Sequence, residues 1–292
     1  MKILIVGGDC RQCEIGRHFI ARGDSVSTFA LDLPIENADA KENLSDALAD
    51  ADTVILPLPL TRDGIYINTP FYSGEKITLD ELFSLSPKKT LLLCGKMPDA
   101  LREKAKSLKL RFEDYYESEL FLSENAYITA EGALFLAMKE LNITIKNCPV
   151  LIVGGGRIAK CLFLLLSAMN ARVCFCARND YDLRWAEALG AKTLDLASDT
   201  EDIERAVEKS RVIFNTVPVQ VIPDCAFEKA KKELIYIELA GDESLISPVL
   251  VNKGIYTVCA KALPSKYAPY SAGVLLYDTI SDILKQKKGE KE

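Results

Sequence analysis

The chain has 292 residues, a formal net charge of −6, 49% hydrophobic and 27% charged residues, a length that suits two domains of ordinary size. The acidic balance argues against nucleic acid as the main partner, because phosphate-backbone binding needs a basic face. No apolar run approaches the ~20 residues a membrane span requires, and Met1 leads directly into Ile3-Leu4-Ile5-Val6 and glycine rather than into a signal peptide, so a cytoplasmic protein is expected.

In chain order, residues 2–6 read as a strand ending in Gly7-Gly8, 11–22 as a helix closed by Gly23, and 25–30 as a second strand. Residues 32–52 are acidic and irregular with room for one helix. Strands follow at 53–56, stopped by Pro57 and Pro59, and at 90–94, then a helix at 99–108 and a strand at 110–114. Strands separated by helices predict a parallel sheet covered on both faces. A helix over 131–141 carries Leu134, Ala137, Met138 and Leu141 on one stripe and is expected to connect the domains.

The second half repeats the alternation: strand 150–153, helix 156–170, strand 172–176, helix 182–189 closed by Gly190, helix 201–209, and strands 212–216, 235–239 and 256–260. A last helix over 271–284 places Leu276, Ile280, Ile283 and Leu284 on one face and, with no strand after it, is expected to pack back on the first domain. The expected fold class is therefore α/β: two doubly wound Rossmann-like domains, 1–125 and 146–270, joined by a connector helix at 126–145 and followed by a helix and tail at 271–292.

Three features agree around Gly154. The strand Val150-Leu151-Ile152-Val153 precedes the turn, the spacing Gly154-Gly155-Gly156-Arg157-Ile158-Ala159 is G-x-G-x-x-A, and an amphipathic helix follows with Ile158, Cys161, Leu162, Leu165, Leu166 and Met169. Gly154 permits the tight turn, Gly156 lets backbone approach a pyrophosphate, and Ala159 lets the helix lie close on the strand. The helix N-terminus then points at an anion. The next strand ends in Arg178-Asn179 where NAD sites usually place a carboxylate, and a guanidinium suits a 2′-phosphate; NADP is expected in preference to NAD. Asn215-Thr216-Val217-Pro218 ends a later strand at the edge that lies beside a nicotinamide in many doubly wound dehydrogenases. The additional apolar residues Phe163 and Leu164 predict an extra buried contact, with a neighbouring domain or a second copy of the chain.

Gly7-Gly8-Asp9-Cys10-Arg11 also sits between strand and helix but lacks the full glycine spacing. A cation in the first turn of a helix costs roughly 0.3–1 kcal/mol unless an anion binds, which makes Arg11 a candidate anchor for a substrate carboxylate. Cys10-x-x-Cys13 has redox-pair spacing, yet no aromatic precedes it and no cis-proline strand is evident. The nine cysteines and single histidine, His18, match no zinc pattern; Cys94, Cys174, Cys176 and Cys259 lie in apolar runs and read as small buried hydrophobes, and His18 as a helix-surface residue.

The order Gly7-Gly8-Asp9-Cys10-Arg11-Gln12, Glu131-Gly132, Gly154-Gly155-Gly156-Arg157, Asn215-Thr216-Val217-Pro218, and Leu263-Pro264 through Ala268-Pro269-Tyr270-Ser271-Ala272-Gly273 resembles the dipicolinate synthase A-subunit family over nearly the whole chain. The resemblance implies two Rossmann-like domains, NADP-linked oxidation of dihydrodipicolinate to dipicolinate in spore-forming bacteria, and a flavoprotein-like partner, the synthase's other polypeptide. The chain departs from the family at Gly241-Asp242-Glu243-Ser244, at Ser265 and at Tyr270, where a lysine is usual.

Such a cyclic imine dicarboxylate needs donors for two carboxylates, a ring carbon held against the nicotinamide, and a base for the ring proton. Arg11, Thr129, Ser271 and Lys266 are candidate donors. Glu131, placed at the start of the connector helix, is the candidate base, with Lys266 and Tyr270 as alternatives for proton transfer; a carboxylate favoured there by the helix dipole is the competing explanation of Glu131. Another NADP-dependent dehydrogenase, of shikimate-dehydrogenase type, or a non-catalytic dinucleotide-binding or regulatory protein remain alternative readings.

Overall fold

Short strands alternating with helices build two parallel sheets. The computed structural model describes residues 1–198 and 200–289. They divide into two units, Met1–Asn125 together with the C-terminal segment from Ala268, and Ala126–Tyr267.

The first unit runs β1 (Lys2–Val6), α1 (Cys10–Ala21), β2 (Ser25–Phe29), β3 (Asp39–Ala40), α2 (Leu44–Ala49), β4 (Thr53–Ile55), α3 (Leu79–Leu85), β5 (Leu91–Cys94), α4 (Asp99–Ser107) and β6 (Arg111–Asp114). The strands are parallel in the order β3-β2-β1-β4-β5-β6. Ile3, Leu4, Ile5 and Val6 are all buried, the continuous apolar pattern of a strand covered on both faces. A capping box starts α1: Asp9 accepts from the Arg11 N–H, and Gln12 Oε1 accepts from the Asp9 N–H at 2.8 Å.

Next comes α5 (Glu119–Glu140), a single 22-residue helix. The expected helix over 131–141 thus begins twelve residues too late. Residues 119–130 contain no glycine or proline, so nothing breaks the helix. The apolar stripe also shifts: Phe121 joins the core of the first unit, whereas Ala130, Ala133, Leu134 and Ala137 join that of the second.

The second unit runs β7 (Pro149–Val153), α6 (Arg157–Ala168), β8 (Arg172–Ala177), α7 (Asp180–Ala188), β9 (Lys192–Asp195), α8 (Thr200–Lys209), β10 (Val212–Asn215), β11 (Ile235–Glu238), α9 (Pro248–Asn252), β12 (Tyr256–Cys259) and α10 (Leu263–Tyr267). Its parallel sheet has the order β12-β11-β10-β7-β8-β9, which read from β9 is the same doubly wound order as the first. Each order reverses between the first and fourth strands of its unit, and ligands of such sheets bind beyond the carboxyl ends of the strands at that reversal.

The final helix, α11 (Pro269–Gly289), belongs to the first unit. It packs on α1, with Leu276, Ile280 and Leu284 buried among Ile5, Ile15 and Phe19. Phe163 of α6 is buried in the core of the second unit, whereas Leu164 is exposed. Among the described residues, no helix is long and apolar enough to cross a membrane.

Candidate functional site

In the second unit the glycine turn lies at the sheet reversal, between the ends of β7 and β10. Gly154 has φ +118°, and a Cβ there would lie 2.1 Å from Thr216 Oγ1. That hydroxyl is fixed by donating to Val153 O at 2.9 Å, so glycine is required on both conformational and steric grounds. A Cβ on Gly155 would meet Asp182 Oδ2 at 2.4 Å. Gly156 is different. It is the N-cap of α6, no side chain caps the helix, and a Cβ there would meet nothing within 4 Å. An α6 N-terminus without a side-chain cap, with open space beside its capping glycine, fits a pyrophosphate: its N–H groups need acceptors and its dipole favours negative charge. Ala159 is fully buried, which lets α6 lie close on the sheet.

Arg178 follows β8, the strand beside β7. Its side chain is exposed and makes no hydrogen bond or ion pair among the described residues. Asn179 is the N-cap of α7, where its Oδ1 accepts from the Tyr181 N–H at 2.9 Å. Two further residues border the turn and escaped the sequence reading. Asp182, in the first turn of α7, pairs with Lys160 of α6 at 2.7 Å, and the Lys160 ammonium also lies 5.4 Å from the ring centres of Tyr181 and Trp185. An acid three residues after a capping asparagine was the available signal for Asp182.

At the end of β10, Asn215 is buried and turned inward. Its amide donates to Glu238 Oε2 at 2.5 Å and to Val217 O at 3.2 Å, and its carbonyl accepts from the Val217 N–H at 3.2 Å. Thr216 therefore meets the glycine turn, Asn215 braces the loop through Val217 from below, and Pro218 is exposed. Glu238, fully buried at the end of β11, also accepts from the Ala240 N–H at 2.7 Å and from the Tyr236 hydroxyl at 3.4 Å. Burial pushes its carboxyl above the ordinary range, against the opposing hydrogen bond from Asn215. A carboxylate ending the apolar run Ile235-Tyr236-Ile237 was its sequence signal.

The first unit's glycine turn is filled by its own side chains. A Cβ on Gly7 would lie 2.7 Å from Thr69, and one on Gly8 2.3 Å from Gln12. Arg11 is buried and grips Asp9 with two hydrogen bonds of 2.9 Å, Nε to Oδ1 and Nη2 to Oδ2, while Nη2 also donates to Leu58 O at 2.6 Å. The cation in this first helical turn is thus matched by a carboxylate of the protein itself. Burial pushes the Cys13 thiol up to about 11, the opposite of an activated redox cysteine. None of the nine cysteines forms a disulfide; Cys94 and Cys176 are buried as expected, and Cys174 and Cys259 partly so. His18 is half-buried, stacked on Tyr277 at 4.9 Å, because α11 covers the helix face that the sequence alone leaves open.

The remaining candidates fall on helices. Glu131 lies in the interior of α5, so the helix-start dipole explanation does not apply to it. It is half-buried, and Thr129 on the same helix is buried. Gly132 faces α10: a Cβ there would lie 3.2 Å from the Cβ atoms of Leu263 and Tyr267. Lys266, on α10, is exposed, and its ammonium makes no hydrogen bond or ion pair with Glu131 or any other of the described residues. Tyr270 and Ser271 are exposed at the start of α11, with the Tyr270 ring 6.4 Å from His18. Gly273 lies against α1, where a Cβ would meet Glu14 Cβ at 2.4 Å and Arg11 O at 3.0 Å. The Glu-Gly and Ser-Ala-Gly motifs therefore carry helix-packing glycines.

Two doubly wound units, one with an open glycine turn at its sheet reversal, define a two-domain Rossmann-type protein. Residues 2–116 match the family model of the N-terminal domain of the dipicolinate synthase A-subunit. The chain is 23% identical to the dipicolinate synthase A-subunit of Bacillus subtilis (strain 168) over 294 residues, covering 99% of this chain and 98% of the relative. A crystal structure of the dipicolinate synthase A chain from Bacillus subtilis matches with a TM-score of 0.80 over 99% of this chain and 97% of that one. The corresponding protein from Bacillus halodurans matches with a TM-score of 0.82 and 22% identity, over 97% of each chain. The apo structure of D-lactate dehydrogenase from Escherichia coli matches with a TM-score of 0.65 and 13% identity, over 99% of this chain and 98% of that one. The resemblance to the dipicolinate synthase A-subunit family and the two-unit doubly wound α/β fold are both borne out.

Proposed function

We propose that the second unit binds a nicotinamide dinucleotide, NADP in preference to NAD, and that the chain uses it to oxidise dihydrodipicolinate to dipicolinate. The observation that carries this reading is the contrast at Gly156: open space beside the glycine that starts α6, a helix with no side-chain cap, in a turn whose other two glycines are tightly enclosed. The turn from Gly154 through Arg157 to Ile158 would hold the diphosphate. Arg178, exposed and unpaired among the described residues, would meet the 2′-phosphate, while Asn179, Thr216, Val217 and Pro218 would border the cofactor and Asn215 would hold that border in place. A bound nicotinamide supplies a hydride acceptor.

The reaction removes a hydride from a ring carbon and a proton from the ring, and the product's aromaticity drives it; the protein's part is to orient and dry the site. Glu131 is the proposed proton acceptor, with Lys266 and Tyr270 as alternatives, and Thr129 and Ser271 as proposed donors to substrate carboxylates. Arg11 is proposed to act on substrate only in concert with Asp9, since its guanidinium already holds that carboxylate. The Bacillus relatives are each named as one component of a synthase, which supports a further polypeptide as partner, proposed here to be flavoprotein-like.

The test is a fluorescence titration of the intact chain with NADPH and NADH, repeated on Arg178→Ala. Loss of one charge-assisted contact weakens NADPH binding about tenfold or more and leaves NADH unchanged. Equal loss for both nucleotides, or none, would remove Arg178 from the site; binding of neither would leave the glycine turn a structural element.

A further inference from the structure

The second unit has a cavity at the end of its sheet opposite the glycine turn. Pro149, Arg172 and Lys192, which open β7, β8 and β9, line it together with residues of α8. Its volume is about 880 Å³, the size of a small-molecule pocket. The glycine turn lies at the other end of β7, a five-residue strand, and so about 17 Å away at ~3.3 Å per residue. The two places are separate.

The cavity's charge is out of keeping with the molecule. In a chain of net charge −6, its walls carry Arg172, Lys192, Arg205, Lys209 and Lys231 against one carboxylate, Asp202. Asp202 is already paired with Arg205 at 3.0 Å, and Arg172 Nε donates to Asn147 O at 2.8 Å. The ammonium groups of Lys192, Lys209 and Lys231 make no hydrogen bond or ion pair among the described residues. Three unpaired ammonium groups around one concavity repel one another and focus a positive field in it. Between them the lining is apolar, with Val150, Val173, Leu194 and Ala206.

We infer that this cavity is a binding site for a small polyanion, a molecule carrying two or more phosphate or carboxylate groups on a compact body. The lysines on separate elements — β9, α8 and the segment before β11 — would converge on its anionic groups, and the apolar lining would take the body. The site is independent of the dinucleotide turn, so a ligand here would regulate or anchor the chain without displacing the cofactor.

The test titrates the full chain with inorganic tripolyphosphate and, separately, with citrate, by calorimetry at low ionic strength. The comparison variants are Lys192→Glu with Lys209→Glu, and Arg178→Ala. Neither lysine is buried, so the double variant folds, which circular dichroism and thermal unfolding verify. The expected result is saturable binding of at least one probe, weakened at least tenfold by the double reversal and by raised salt, and unchanged by Arg178→Ala. The tighter probe identifies phosphate or carboxylate as the recognised group. Absence of saturable binding of both probes at millimolar concentration would overturn the inference. So would binding that survives the double reversal, or that Arg178→Ala removes instead, since the latter would place the anion at the glycine turn. NADPH binding is read in the same samples, so the fate of the dinucleotide reading is scored separately.

Discussion

Lys160 stands in the first turn of α6, where the helix dipole disfavours a cation. Its ion pair with Asp182 and its place over two aromatic rings offset that cost. The pairing has a consequence for the proposed cofactor. Asp182 touches the turn at Gly155, and a bare carboxylate there would repel a phosphorylated nucleotide, most of all one with an additional 2′-phosphate. Lys160→Ala should therefore lower the ratio of NADPH to NADH affinity by roughly two- to fivefold, the effect of losing a partly exposed ion pair. Parallel titrations of the two nucleotides measure this; an unchanged ratio would mean that Asp182 does not bear on the phosphate. Arg11 makes the complementary point. Its position in a first helical turn was legible, but its carboxylate partner two residues earlier, gripped through both oxygens, required a backbone conformation that spacing does not specify.

Among the elements, glycines separate binding from packing. Gly154 is fixed by Thr216 and Gly156 is open, whereas Gly132 and Gly273 exist so that one helix can approach another. Substituting Gly273→Ala places a methyl group 2.4 Å from Glu14 Cβ and 3.0 Å from a backbone oxygen of α1, and overpacking of this kind costs about 1–3 kcal/mol. Thermal unfolding should show a lowered Tm for Gly273→Ala; an unaltered Tm would mean that α11 does not press on α1 as described. The strands with continuous buried apolar runs, such as Ile3-Leu4-Ile5-Val6 and Val150 to Val153, were readable from sequence because both faces are covered. The edge strands β3 and β9 were not. Asp39–Ala40 is two exposed residues, and Lys192–Asp195 is half-buried at best, so neither shows a period. The start of α5 was missed because its apolar residues serve two different cores, leaving no single stripe.

For the whole molecule, one strand order occurs twice, each time with a glycine turn at the reversal, yet the two turns differ in kind. The first is closed by Thr69, Gln12 and the Asp9–Arg11 pair; the second leaves Gly156 open. The spacing of the glycines distinguishes them in sequence, but their physical difference lies in which side chains fold back over each turn. A nucleotide should thus act on one turn alone. The most direct test is amide hydrogen exchange of the full chain with and without saturating NADPH. The account predicts slowed exchange at Gly154 to Ala159 and at Thr216 and Val217, with Gly7 to Arg11 unchanged. Protection at Gly7 to Arg11 in place of Gly154 to Ala159, or none at either turn with the nucleotide bound, would contradict it.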